Sequence, residues 1–150
     1  MSPNLKQVRN YTVHGDEIIG KGQQGSIFKA TRDDEVFACK VIDRRRLGSY
    51  GEYQVENEVT NLKLLRDTQG ILRILDYKKS SRAWYIVTEY CNGGDLSLLL
   101  KHRGGGLTDI ECQAIMKQLV PAIEAMHTAG VAHRDLKLAN ILLHFRDPEV

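Results

Sequence analysis

The chain has 150 residues with a net charge of +2, of which 42% are hydrophobic and 27% charged. That length fits one domain or part of one, that composition fits an ordinary globular protein able to bury a sizeable core, and the near-balanced charge carries no long basic stripe to point to nucleic acid. Cys39, Cys91 and Cys112 are far apart and odd in number, which suits free thiols in a reducing compartment rather than a disulfide framework, and no Cys/His cluster has metal-ligand spacing.

At the N-terminus, Met1-Ser2-Pro3-Asn4-Leu5-Lys6 lacks the apolar core of a leader. No apolar run is long enough to span a bilayer. The expectation is a soluble intracellular protein, cytoplasmic with the nucleus not excluded, with neither a membrane nor a nucleic acid as partner. Tyr11 to Ile19 reads as a strand leading into Gly20-Lys21-Gly22-Gln23-Gln24-Gly25. Ser26 to Thr31 and Val36 to Ile42 read as two further strands, joined by a hairpin turn at Asp33-Asp34. After a basic stretch with Gly48 and Gly51, a helix is predicted from about Glu52 to Arg66, with Val55, Val59, Leu62 and Leu65 on one face. Ile71 to Tyr77 and Ala83 to Tyr90 read as strands joined by Lys78-Lys79-Ser80-Ser81-Arg82.

Asn92-Gly93-Gly94 then breaks the chain. A short helix, Asp95 to Leu100, and a loop at Gly104-Gly105-Gly106 follow. Thr108 reads as an N-cap with Glu111 completing a capping box. The helix behind it runs to about His127, ends at Ala129-Gly130, and aligns Ile115, Leu119, Ile123 and Met126. Pro121 inside it removes a backbone bond and predicts a kink, at a cost of roughly 3 kcal/mol if uncompensated. A short apolar strand is predicted at Ile141 to Leu143. The order is strands plus one helix, a glycine break, then mainly helix, which predicts an α+β fold of two lobes.

Four features carry chemistry. Gly20-x-Gly22-x-x-Gly25 lets backbone amides approach phosphate oxygens; a plain Gly-rich turn is the alternative. The strand and hairpin that follow exclude a dinucleotide-binding turn, which requires a helix there. Lys40 shares a strand face with Val36, Ala38 and Ile42, where a lysine is costly unless paired; the alternative is a strand-end lysine that snorkels out. Glu58 lies between Val55 and Leu62 on the apolar stripe of the predicted helix, and a carboxylate there wants a cation; the alternative is that Glu56 or Glu58 merely edges a solvated face. The two anomalies explain each other as a pair. Finally, His133-Arg134-Asp135-Leu136-Lys137-Leu138-Ala139-Asn140 sets a base, a phosphate-binding cation and a metal-binding oxygen within one loop, which suits phosphoryl transfer.

From about Asp16 onward these residues resemble the eukaryotic protein kinase family of serine/threonine type, which implies a two-lobe fold: a complete antiparallel-sheet N-lobe with one main helix at about 11–88, a hinge at 89–94, and an incomplete, mainly helical C-lobe at 95–150. It implies ATP and Mg²⁺ as cofactors and a protein carrying a serine or threonine hydroxyl as substrate. By resemblance, Gly20, Gly22 and Gly25 form the lid over the phosphates, Lys40 meets the α- and β-phosphates and pairs with Glu58, Asp135 accepts the hydroxyl proton, Lys137 approaches the transferred group and Asn140 holds Mg²⁺. Backbone groups of Glu89 and Cys91 bond the adenine, Thr88 lies at the back of its pocket, Asp95 lies near the ribose, and Ile27, Ala38 and Leu142 sandwich the purine. Arg134 beside Asp135 resembles the subgroup regulated by activation-loop phosphorylation.

The chain also departs from the family pattern. Gln24 stands where an aromatic residue is common, Ile27 replaces Val, and Leu138-Ala139 replaces Pro-Glu. No Asp-Phe-Gly follows, which implies a partial domain; the alternative is an inactive nucleotide- or partner-binding module. Left uncovered, the apolar stripe of the helix after Thr108 invites aggregation or a partner protein. Arg45-Arg46-Leu47-Gly48-Ser49 suits recognition of Ser49 by a basophilic kinase, with a solvated loop as the alternative.

Overall fold

The computed structural model describes residues 4–22 and 24–145. Met1–Pro3 of the N-terminal stretch, Gln23 of the glycine turn, and Arg146–Val150, where the resemblance places the approach to a further strand, lie outside the described residues. Among the described residues six strands form: β1 (Leu5–Val8), β2 (Tyr11–Lys21), β3 (Ser26–Arg32), β4 (Glu35–Asp43), β5 (Ile74–Lys79) and β6 (Ala83–Glu89). Three α-helices join them, α1 (Ser49–Leu64), α2 (Leu96–Arg103) and α3 (Asp109–Thr128). The chain divides into two units. One runs up to Asp67 and includes Leu72–Tyr90; the other is Thr68–Ile71 with the residues from Cys91 onward.

In the first unit the strands pair antiparallel in the order β1-β2-β3-β4-β6-β5. The β3–β4 hairpin turns on Asp33 and Asp34 alone, with Arg32 opposite Glu35. Both have positive φ, 49° and 66°, as the two-residue turn that matches strand twist requires, and aspartate tolerates that region better than most residues. Side chains alternate across β4. Phe37 and Cys39 join Val8, Tyr11, Ala30 and Val87 in one cluster. Ile42 joins Val55 and Val59 of α1, with Trp84 and Ile86, in another.

The expected inward face of residues 36, 38, 40 and 42 is one of two: Ala38 and Ile42 on it are buried, and Lys40 meets Glu58 of α1 there. Both faces of this central strand are covered, as its near-continuous apolar run befits, and the 37/39 face is buried while Val36 is exposed. Helix α1 opens at Ser49, earlier than expected, with the extended backbone of Gly48 as its cap. Strand β5 begins at Ile74 rather than Ile71, because Ile71 N–H closes a turn onto the Thr68 carbonyl at 3.2 Å. Strand β1 was not expected: only two of its four residues are apolar.

In the second unit, Asp95 caps α2, accepting from Leu98 N–H at 2.8 Å, and Gly104 ends it with φ of 69°. Thr108 and Glu111 form the full capping box of α3. That helix continues through Pro121, and its least exposed residues include the expected stripe: Met126 is buried and Ile115, Leu119 and Ile123 are half-buried. The strongly exposed apolar residues of α3 are instead Ile110, Met116 and Val120. The strand expected at Ile141 to Leu143 is reduced to one bridge, Leu142 opposite Asp95, because the Gly93–Leu96 segment offers it only a short partner.

Candidate active site

The glycine turn links β2 to β3, with Gly20 opposite Ile27 and Lys21 opposite Ser26. Gly22 N–H donates to the Gly25 carbonyl at 2.8 Å. A Cβ on Gly25 would overlap the Val41 carbonyl of β4, so the fold itself demands glycine there. A Cβ on Gly20 or Gly22 would meet only ordinary contacts, at 3.4 and 3.6 Å. Among the described residues, steric contact does not demand glycine at those two places.

Lys40 opposes Ile27 on one side and Ile86 on the other. Its Nζ donates to both Glu58 oxygens, at 2.8 and 2.9 Å. Glu58 sits on α1 beside the buried Val55 and Val59, so the helix that packs on the sheet also delivers the carboxylate. The pair is part-buried, 24% and 33% exposed at the side chains, which leaves the ammonium reachable while holding it in place. At the far end of β6, Thr88 is buried opposite Ala38, and its hydroxyl donates to the Glu89 carbonyl at 3.2 Å. Glu89 N–H donates to the Arg73 carbonyl at 3.1 Å and its Oε1 accepts from Arg73 N–H at 2.7 Å. The Glu89 amide is therefore committed to Arg73, while its carbonyl takes the Thr88 hydroxyl.

In the second unit, the Cys91 carbonyl accepts from Gly94 N–H at 3.3 Å. Asp95 spends one oxygen on the α2 cap, a role that spacing did not suggest. Leu142 remains 44% exposed beside it. The loop from His133 to Asn140 gathers three expected residues. Lys137 Nζ donates to Asp135 Oδ2 at 2.8 Å, and Asn140 Nδ2 donates to the same oxygen at 3.0 Å and to the Asp135 carbonyl at 2.7 Å. Asp135 N–H donates to His133 Nδ1 at 3.2 Å.

The Lys137 ammonium, and after it the Asn140 amide, hold the Asp135 carboxyl below its ordinary value. The carboxylate stays ionised, with its Oδ2 taken by Lys137 and Asn140. Arg134 carries a positive φ of 66°. A left-handed arginine is strained by roughly 1–3 kcal/mol, and no residue-type signal announces it.

Asn140 Oδ1 is a hard oxygen of the kind Mg²⁺ takes, and Mg²⁺ characteristically fills most of its shell with phosphate and water. Among the described residues no group of three or more His, Cys, Asp or Glu is placed to hold a metal. The donor set on these residues is thus a single amide oxygen beside a carboxylate.

A family model described as "Protein kinase domain" matches residues 13–150, and this chain belongs to that family. Some of the relatives it resembles are named as serine/threonine-protein kinases. It is 34% identical over 90% of its length to "Probable serine/threonine-protein kinase fhkD" of Dictyostelium discoideum, covering 18% of that protein. It is 35% identical over 83% of its length to "CBL-interacting protein kinase 21" of Oryza sativa subsp. japonica, covering 24%. It is 34% identical over 84% of its length to "Serine/threonine-protein kinase PLK4" of Danio rerio, covering 14%. The chain thus spans less than a quarter of the length of each of these proteins.

Proposed function

We propose that these residues are the nucleotide-binding and catalytic-loop portion of a serine/threonine protein kinase, with 11–88 as N-lobe, 89–94 as hinge and 95–150 as part of the C-lobe. The observation that carries this reading is the Asp135–Lys137–Asn140 cluster, a carboxylate kept ionised by a lysine and an amide of its own loop. Family membership and the Lys40–Glu58 pair support it.

In the proposed step, the substrate hydroxyl oxygen bonds to the γ-phosphorus of ATP as the bond to the β–γ bridging oxygen breaks. ADP leaves with that electron pair, and the hydroxyl proton passes to Asp135 Oδ1. Lys137 offsets charge on the transferred group. Lys40, steadied by Glu58, binds the α- and β-phosphates, and the amides of the Gly20–Gly25 turn cover them. Ile27, Ala38 and Leu142 take the purine faces, Thr88 backs the pocket, the Glu89 carbonyl and Cys91 backbone meet the base edge, and Asp95 serves the ribose through the oxygen its cap leaves over. Asn140 would hold Mg²⁺, which supplies charge neutralisation to phosphate when bound.

No helix among the described residues is long and apolar enough to cross a membrane. Cys39 and Cys112 are in no disulfide, which supports a reducing, intracellular setting. A partner protein, if one docks on α3, would meet Ile110, Met116 and Val120.

The test is transfer from radiolabelled ATP to a generic acceptor such as casein, with the full-length protein. Asp135→Asn and Lys40→Met are each expected to lower the rate by about 100-fold or more. Full activity in either variant ends that assignment. Binding of an ATP analogue without any transfer would instead identify a nucleotide-binding module.

A further inference from the structure

One group of charges in the first unit has no part in the proposed chemistry, yet it grips the helix that carries Glu58. Arg44 Nε donates to Glu52 Oε1 at 2.5 Å, while Arg44 Nη1 donates to the Ser80 carbonyl at 2.6 Å. Trp84 Nε1 donates to Glu52 Oε2 at 3.2 Å. Lys79 Nζ lies 3.2 Å from the same oxygen and 2.5 Å from Glu56 Oε1, and 4.8 Å above the Trp84 ring. Two acidic residues of α1 are thus tied to β5, β6 and the turn after β4. The Arg44 guanidinium, with help from Trp84 and Lys79, holds the Glu52 carboxyl down at about 2.

We propose that this ionic clasp, centred on Glu52, positions α1 in rotation and so keeps Glu58 on Lys40. At about 100° per residue, Glu56 lies some 160° round the helix from Glu58, with Val55 and Val59 between them. The apolar contacts of Val55 and Val59 with Ile42, Trp84 and Ile86 hold the helix on the sheet, but burial is non-directional and permits rolling. Directional charged bonds on both flanks do not permit it. Glu52 is a positioning residue in this scheme, acting on Lys40 only through the helix. The consequence for nucleotide binding rests on the kinase reading, but the positioning itself is measured without nucleotide.

Trp84 is the only tryptophan of these 150 residues, so the emission lost in a Trp84→Phe reference isolates its signal within the full-length protein. The test uses Glu52→Gln and, as a second variant outside the apolar seam, Lys79→Met. Two readouts are taken on the full-length protein without ATP: Trp84 emission, and acylation rates of individual lysines by mass spectrometry. Lys29, paired with Glu17 at 2.9 Å elsewhere on the sheet, is the internal control. The expected result is a shifted emission with Lys40 acylated several-fold faster and Lys29 unchanged. A shifted emission with an unchanged Lys40 rate overturns the proposal. So does an equal rise at Lys29, which would mean general loosening. If the unaltered protein binds no ATP analogue, the kinase reading fails, while the Lys40 rate still decides the clasp.

Discussion

Removing the Lys137 ammonium separates what a neighbour does to Asp135 from what the loop backbone does. The carboxyl lies below its ordinary value of 3.8 because Lys137 and Asn140 stabilise its charged form, Lys137 more strongly. In Lys137→Met the carboxyl midpoint should therefore rise toward that ordinary value, as read by site-resolved carboxyl NMR across an acid titration. An unmoved midpoint would mean that solvent screens the pair, as it does for many exposed ion pairs. The identity of these residues was legible because carboxylate, lysine and amide fall at fixed spacing within one loop. The Lys40–Glu58 contact was legible for another reason: each is a charge on an apolar face, and each needs the other. Glu52 gave no such signal, because its partners Arg44, Lys79 and Trp84 come from three separate segments that only the tertiary fold unites. The cap role of Asp95 was likewise hidden behind its place next to the glycine break.

Among the elements, α3 offers the cleanest test, since its start is written in two side chains. Thr108 Oγ1 accepts from Glu111 N–H at 3.3 Å, and Glu111 Oε2 accepts from Thr108 N–H at 2.8 Å. Thr108→Ala should cost about 1 kcal/mol in a denaturant titration followed by helical circular dichroism. The Thr108 amide, then Arg103 at 2.7 Å, pull the Glu111 carboxyl from an ordinary 4.5 to about 2. A depressed folded value means that this stabilisation is fully present above about 4.5 and is lost as pH falls toward 2. Glu111→Gln should flatten the acid side of the stability curve across that window, and an unchanged slope would show that the cap is not ionic. Capping chemistry is local, which is why sequence located this element so closely. Strand ends depend on partners instead. Leu142 had strand-like neighbours in sequence but only a short segment to pair with, and β1 had weak residues but a full partner in β2.

Over the whole molecule the core is unevenly shared. Of the 20 buried apolar residues among those described, only Leu96, Ala122 and Met126 belong to the second unit. The first unit has two clusters, one on each face of β4. Burial is the main favourable term in folding, so the 150-residue chain should not open as one cooperative body. Amides of α2 and α3 should exchange with deuterium well before those of β3, β4 and β6, and a denaturant titration should melt helical signal from the second unit first. Uniform exchange with a single coincident transition would show that the two units are stabilised together. If they separate, ATP analogue at saturating concentration gives a second reading. A ligand protects whatever binds it, by an amount set by its concentration over its dissociation constant. Protection confined to the glycine turn and Lys40 would assign affinity to the first unit alone, whereas protection that also reaches Asp135 to Leu142 would show that the catalytic loop takes part in holding the nucleotide on which it is proposed to act.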